Sequence, residues 1–216
     1  MSVCTTCNNQ YRTPVAHGGA GDASSECRNI ACGAVQAVAT ANSAAYGTPA
    51  VDQEPVNRFS SRVVAPMSLL QLSALMQKGT DCSDELCIMA LVLMVRYCRT
   101  TGTALTLKMM HRLYVASLHL AIKTHSDRYF RNDMYAMMAG ISTTELNLLE
   151  SVLLGGLEWR CLVEAGEAAE LVTAPVKFVA NGIPAHTTKL SSGERSISRR
   201  RSRRAPRVVA SVGFDG

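Results

Sequence analysis

The sequence has no apolar run long enough to cross a membrane. Its longest unbroken one, Leu86 to Val95, is ten residues and is closed by Glu85 and Arg96, against the roughly 20 that a spanning helix needs. No basic stretch at the N-terminus leads into an apolar block, so no secretory signal is expected. The eight cysteines are therefore read as thiols in a reducing, intracellular compartment, nucleus or cytoplasm. A Gly-rich phosphate loop and a His-Glu-x-x-His helix are also missing. No catalytic residue and no cofactor is predicted, and the chain reads as a non-enzyme. Leu, Phe and Trp are absent from residues 1–58, which hold eleven Ala. Without bulky side chains to offset chain entropy, residues 1–57 are expected to be a mostly disordered extension.

What is present is concentrated. With 47% hydrophobic and 18% charged residues in 216, there is material for one folded domain and its attachments. Nineteen leucines lie between Pro66 and Val163, and nine of the ten methionines between Met67 and Met138. That places the core within 58–164. Charge divides at the same boundaries. Residues 1–58 sum to −1, 59–164 to +1 and 165–216 to +5, so a partner drawn by net charge is drawn to the C-terminal part. Residues 165–216 are expected to be a linker and a disordered basic tail. Its Arg195–Arg207 segment has seven Arg and no acid.

The core reads as all helix, because its apolar runs are rich in Leu, Met and Ala and never alternate with a period of two. Ser68 with Gln71 forms a capping box for a first helix ending near Gly79. Ser83, Asp84 and Glu85 open a second helix to about Thr100, apolar all round and hence central. Gly102 breaks it, and Thr106 caps a third helix to about Thr124. On that third helix Lys108, Arg112, His119 and Lys123 share one 60° strip, which predicts a basic edge facing solvent or a partner. A short fourth helix lies within Asn132–Met138 and ends at Gly140. Ser142 with Glu145 forms a capping box for a fifth helix, to about Leu157.

Four segments in order, Cys82–Arg96, His111–Lys123, Asp127–Asn132 and Gly140–Glu150, with the closing Gly156-Leu-Glu-Trp159, resemble the cyclin box of the P-type (U-type, phosphate-regulatory) cyclins over residues 58–164. The resemblance implies a single five-helix cyclin box. It further implies a regulatory subunit that binds and activates a cyclin-dependent protein kinase by packing on its C-helix. Lys123 and Glu150 match the family's two kinase-gripping positions. Glu150 also stands out unaided: it lies amid Leu146, Leu149, Leu153, Leu154 and Leu157, where a carboxylate needs a donor, from a partner or within the chain. Lys123 lies on the polar strip and alone would earn no comment. The chain departs from the family at Val95, where an acid usually precedes the Arg of the second helix. It departs again at Thr124, His125 and Ser126, where aromatic residues and an acid usually follow the Lys.

Cys4-x-x-Cys7 and Cys27-x4-Cys32 raise the question of zinc. The wide second pair, the Ala-rich surroundings and the lack of an interleaved strand pattern argue against it, and no metal is predicted. Cys87, Cys98 and Cys161 are read as small hydrophobes on core helices. The Arg-rich tail with Ser196, Ser198 and Ser202 admits three roles: a signal for a nuclear-import receptor, contact with nucleic acid or an acidic partner, and a phosphorylation switch. The alternative to the kinase subunit is a cyclin-fold adaptor that binds nucleic acid or an acidic scaffold through Arg195–Arg207.

Overall fold

The computed structural model describes residues 21–46 and 57–184. The tail segment Arg195–Arg207 with its serines, and Cys4 and Cys7, lie outside them. Among the described residues there are eight helices and no strand: α1 (Gly21–Tyr46), α2 (Leu69–Thr80), α3 (Asp84–Thr101), α4 (Leu107–His125), α5 (Asn132–Ala139), α6 (Thr143–Gly156), α7 (Ala165–Thr173) and α8 (Pro175–Gly182). Helices α2 to α6 are the five expected from the sequence.

Local chemistry accounts for their ends. Ser68 accepts from the Gln71 amide at 3.2 Å while the Gln71 side chain accepts from the Ser68 amide at 2.8 Å, completing the capping box. Gly102 and Gly140 end α3 and α5 at φ of 67° and 68°, a left-handed conformation that glycine adopts without a Cβ penalty. At Ser142 only half the box forms. Its hydroxyl accepts from the Glu145 amide, but the Glu145 carboxylate turns away to Arg112 on α4. An ion pair between helices has displaced a local cap.

Helix α3 is central, as its all-round apolar sequence predicts. Ten of its residues, Cys87 to Cys98 with few gaps, are buried, and it touches α1, α2, α4, α6, α7 and α8. Val95 is fully buried and lies under Gly182 of α8, whose missing side chain lets the two helices approach. The neighbouring Arg96 leaves the core. It donates to the carbonyls of Arg160 at 2.5 Å and Leu162 at 3.0 Å and pairs with Glu167 of α7.

Two expectations are corrected. Within the N-terminal region expected to be disordered, residues 21–46 form a helix whose Ala31, Cys32, Val35 and Ala39 are buried in the same core as α3. Alanine is the best helix former, and small side chains permit close approach; the lack of bulky residues marks a tight contact. Polar anchors add to it. Arg28 pairs with Asp84 at 2.7 Å and donates to Gln77. Asn42 donates to the Leu105 carbonyl at 2.9 Å. Gln36 accepts from the Leu69 amide, and Ser43 from the Leu107 amide, each at 2.8 Å. Thus α1 caps the first amides of α2 and α4, including the helix end where Thr106 makes no side-chain cap of its own. In the second correction, residues 165–182 of the expected linker and tail form α7 and α8, which pack on α1 and α3 through Ala168, Leu171, Phe178 and Val179. The folded unit extends beyond the 58–164 span on both sides.

Candidate functional site

The basic strip of α4 is not a solvent edge. His119 is fully buried, while Lys108, Arg112 and Lys123 are half-buried. Most of the strip faces α6: Arg112 pairs with Glu145, and Lys123 with Glu150 at 2.5 Å. The narrow polar face of one helix answers the two acidic side chains on the other.

Glu150 is the centre of this face. Leu146, Leu149 and Leu153 on its own helix, and Leu157 at that helix's C-cap, are fully buried, and its side chain is 13% exposed beside the 31% of Lys123. Its Oε1 accepts from Lys123 Nζ. Its Oε2 has a longer contact with Asn132 Nδ2 at 3.5 Å and faces His119 Nδ1 at 4.0 Å. Asn132, at the start of α5, ties the group together: its Oδ1 lies 3.1 Å from His119 Nε2, and its Nδ2 donates to Asn147 Oδ1 at 2.7 Å. The carboxylate that the sequence left needing a donor has found one inside the chain.

His119 is held from below by the Tyr135 ring, 4.7 Å away. Burial lowers its pKa below the ordinary value, the Glu150 charge opposing that shift and the Lys123 charge adding to it. A neutral imidazole donating from Nε2 to Asn132 turns an unprotonated Nδ1 toward Glu150, so the second carboxylate oxygen receives nothing strong from this side. His119, Asn132 and Asn147 were not singled out from the sequence as site residues. The available signal was the coincidence of His119 with Lys123 on one strip, which reads as a surface until the α6 acids are placed against it.

Exposed apolar side chains lie on α5 and on the segments just before it and just after α6. Tyr129 and Phe130 precede α5, Met134 and Met137 project from it, and Trp159 and Leu162 follow α6. Glu158 and Trp159 both have positive φ, 51° and 62°, conformations that cost a non-glycine residue about 1 kcal/mol or more each. They turn the chain so that Trp159 is 75% exposed. His125, in the segment that departs from the family pattern, accepts from the Val163 amide at 3.2 Å and so ties the exit of α6 to the end of α4.

Among the described residues no group of three or more His, Cys, Asp or Glu could hold an ion. Cys32 is buried on α1 beside Ser73, and burial pushes its thiol up to about 11, away from the thiolate that zinc requires. Cys98 is pushed up to about 12 by burial alone.

The sequence profile of the cyclin family, described as "Cyclin", matches residues 24–161, beginning within α1 and ending just beyond α6. Among curated proteins the chain is 38% identical over 87 residues to Cyclin-P3-1 of Oryza sativa subsp. japonica, covering 40% of this chain and 37% of that protein. It is 31% identical over 111 residues to Cyclin-U3-1 of Arabidopsis thaliana, covering 51% and 50%. It is also 26% identical over 106 residues to the Nuc-1 negative regulatory protein preg of Neurospora crassa, covering 49% and 22%. The chain thus spans half or less of the length of these relatives. With a profile match over well over half the chain and P- and U-type cyclins among its relatives, this chain belongs to the cyclin family, in its P/U-type branch.

Proposed function

We propose that this protein is the regulatory subunit of a cyclin-dependent protein kinase and holds the kinase's C-helix against the face made by α4, α5 and α6. The observation that carries this reading is the half-open Glu150 carboxylate. Lys123 occupies one oxygen, while the other has only a 3.5 Å contact with Asn132, and the exposed apolar side chains on the flanking segments supply area for a helix to bury. A carboxylate pre-oriented in this way can accept from backbone amides at the end of a partner helix, and the Lys123 ammonium can donate to carbonyls beside it. Packing an apolar helix there holds the C-helix inward. Its glutamate is then kept on the strand lysine that positions the nucleotide phosphates.

The cyclin supplies no reacting group in this scheme. Its contribution is differential affinity for the kinase conformation in which the C-helix is docked, and that affinity sets how far the kinase equilibrium moves. We place this function in the nucleus or cytoplasm, where such kinases act, with the Arg195–Arg207 segment available to an import receptor or an acidic partner.

The test is kinase binding and activation by the full chain and by Glu150→Ala and Lys123→Ala. Weakened binding of both variants, with unchanged helix content, supports the reading. Unchanged affinity of both removes the gripping role from these residues. Kinase binding that disappears only when residues 190–216 are removed, with the helices intact, transfers the function to the basic tail and favours the adaptor.

A further inference from the structure

The sequence reads Cys87 as a small hydrophobe on a core helix and assigns Cys82 no role of its own. In the structure their sulfurs are 3.8 Å apart. Cys87 is fully buried in the first turns of α3. Cys82, in the α2–α3 turn just before the Ser83 cap, is half-buried and opens into a groove of about 1070 Å³ between that turn and the segment Ser126–Phe130. One cysteine lines an open groove and the other is sealed in the core, yet their sulfurs are nearly in contact.

We propose that Cys82 and Cys87 are a reversible oxidation site for small hydroperoxides, with Cys82 as the attacking thiolate and Cys87 as the resolving thiol. The Cys82 thiolate attacks one oxygen of hydrogen peroxide. The O–O bond breaks, and the leaving hydroxide takes up the proton released by Cys82 to become water, leaving a sulfenic acid on Cys82. The Cys87 sulfur then attacks the Cys82 sulfur and the S–O bond breaks. The departing hydroxide takes the Cys87 proton as a second water, and the disulfide is formed. Two thiols have lost two electrons and two protons, and one peroxide has become two waters.

Three features select this pair. The separation must close only from 3.8 Å to about 2.05 Å, and Cys82 lies in the turn outside the helix rather than within it. Cys82 is stabilised as a thiolate first by the hydrogen bond from Cys87, against its burial and the Asp84 charge. It also sits at the positive end of α3. The buried thiols of Cys32 and Cys98 and the half-buried Cys161 are shifted the other way by burial, so they are poorer nucleophiles; Cys87 is raised as well, first by its hydrogen bond with Cys82 and then by burial, which reserves the first attack for Cys82. Closing the disulfide pulls the Asp81–Ser83 turn toward α3 and away from the Ser126–Phe130 side of the groove.

The tryptic peptide Gly79–Arg96 contains Cys82 and Cys87 and no other cysteine. The full chain is treated with hydrogen peroxide, denatured, alkylated with iodoacetamide, digested and analysed by mass spectrometry. The expected result is loss of both alkylations from this peptide, which becomes lighter by two hydrogens, with both restored by prior dithiothreitol. In Cys87→Ser, dimedone should trap a sulfenic acid on Cys82. In Cys82→Ser, Cys87 should stay alkylatable. Circular dichroism, and Cys98 unreactive before denaturation, certify that each variant is folded. The inference is overturned if the wild-type peptide keeps both alkylations at a peroxide dose that oxidises Cys27 or Cys161, or if wild-type Cys82 accumulates as a dimedone adduct. It stands or falls independently of kinase binding.

Discussion

Replacing Glu150 with Ala in the isolated protein distinguishes two physical situations with opposite signs. A bare carboxylate amid Leu146, Leu149 and Leu153 would be a burden, and its removal would leave stability unchanged or raise it. In the structure the carboxylate accepts from Lys123 at 2.5 Å and lies 3.5 Å from Asn132, so its removal deletes a charge-assisted hydrogen bond. Such bonds contribute about 1.5–3 kcal/mol when enclosed. The Lys123 side chain is 31% exposed and regains hydration when left alone, which brings the expected loss to about 1–2 kcal/mol. For a protein of this size that corresponds to a fall in Tm of roughly 2–8 °C. Urea unfolding of wild type, Glu150→Ala, Lys123→Ala and the double variant measures the coupling between the two directly, expected at about 0.5–1.5 kcal/mol. A Glu150→Ala protein as stable as wild type, or more so, would refute the assignment of an internal ion pair.

Three further outcomes follow from the same geometry. His119 has a pKa lowered by burial, so the unfolded chain takes up its proton first on acidification. Stability is therefore full above the unfolded value of about 6.5 and declines as pH falls below it toward the folded value. His119→Gln should flatten that decline in urea titrations between neutral pH and about pH 5; the flattening is partial because His125 is shifted the same way. Gly156→Ala places a methyl group against the Tyr97 ring, which is itself held edge-on by Phe59 at 5.2 Å. It should cost about 1–3 kcal/mol by thermal unfolding, in spite of alanine's better helix propensity. Arg28→Ala removes the link from α1 to Asp84 and Gln77; a loss of about 2–3 kcal/mol is expected, with amide exchange accelerated first in α1.

The five central helices were legible because their ends carry local chemistry: Ser68 with Gln71, Gly102 and Gly140 act within a few residues and survive into the fold. Helix α1 was not legible. Its stability comes from burial of Ala31, Val35 and Ala39 in the common core and from the Gln36 and Ser43 caps on distant helices, and none of these is marked by a bulky residue. For α7 and α8, a net charge dominated by Arg195–Arg207 hid short apolar faces such as Leu171, Phe178 and Val179. At the site, Glu150 was conspicuous because a charge interrupted an apolar stripe, whereas His119 misled because helical periodicity identifies the polar face without saying what covers it. The missing acid at Val95 resolves similarly: α8 covers that position with Gly182, an apolar replacement visible only once the chain beyond residue 164 is folded back.

The central claim is that Lys123 and Glu150 hold a kinase while also holding each other. The most direct measurement is calorimetric affinity of the full chain for each cyclin-dependent kinase of its source organism, repeated with Lys123→Ala, Glu150→Ala and the double variant. With a cognate kinase, each single change should weaken binding about tenfold or more, from roughly 1.4 kcal/mol or more of lost charge-assisted bonding. The double change should weaken it by less than the product of the two, because both residues would engage one kinase element. Wild-type affinity in both single variants, with the helices intact by circular dichroism, would contradict the account and leave the pair as an internal brace between α4 and α6.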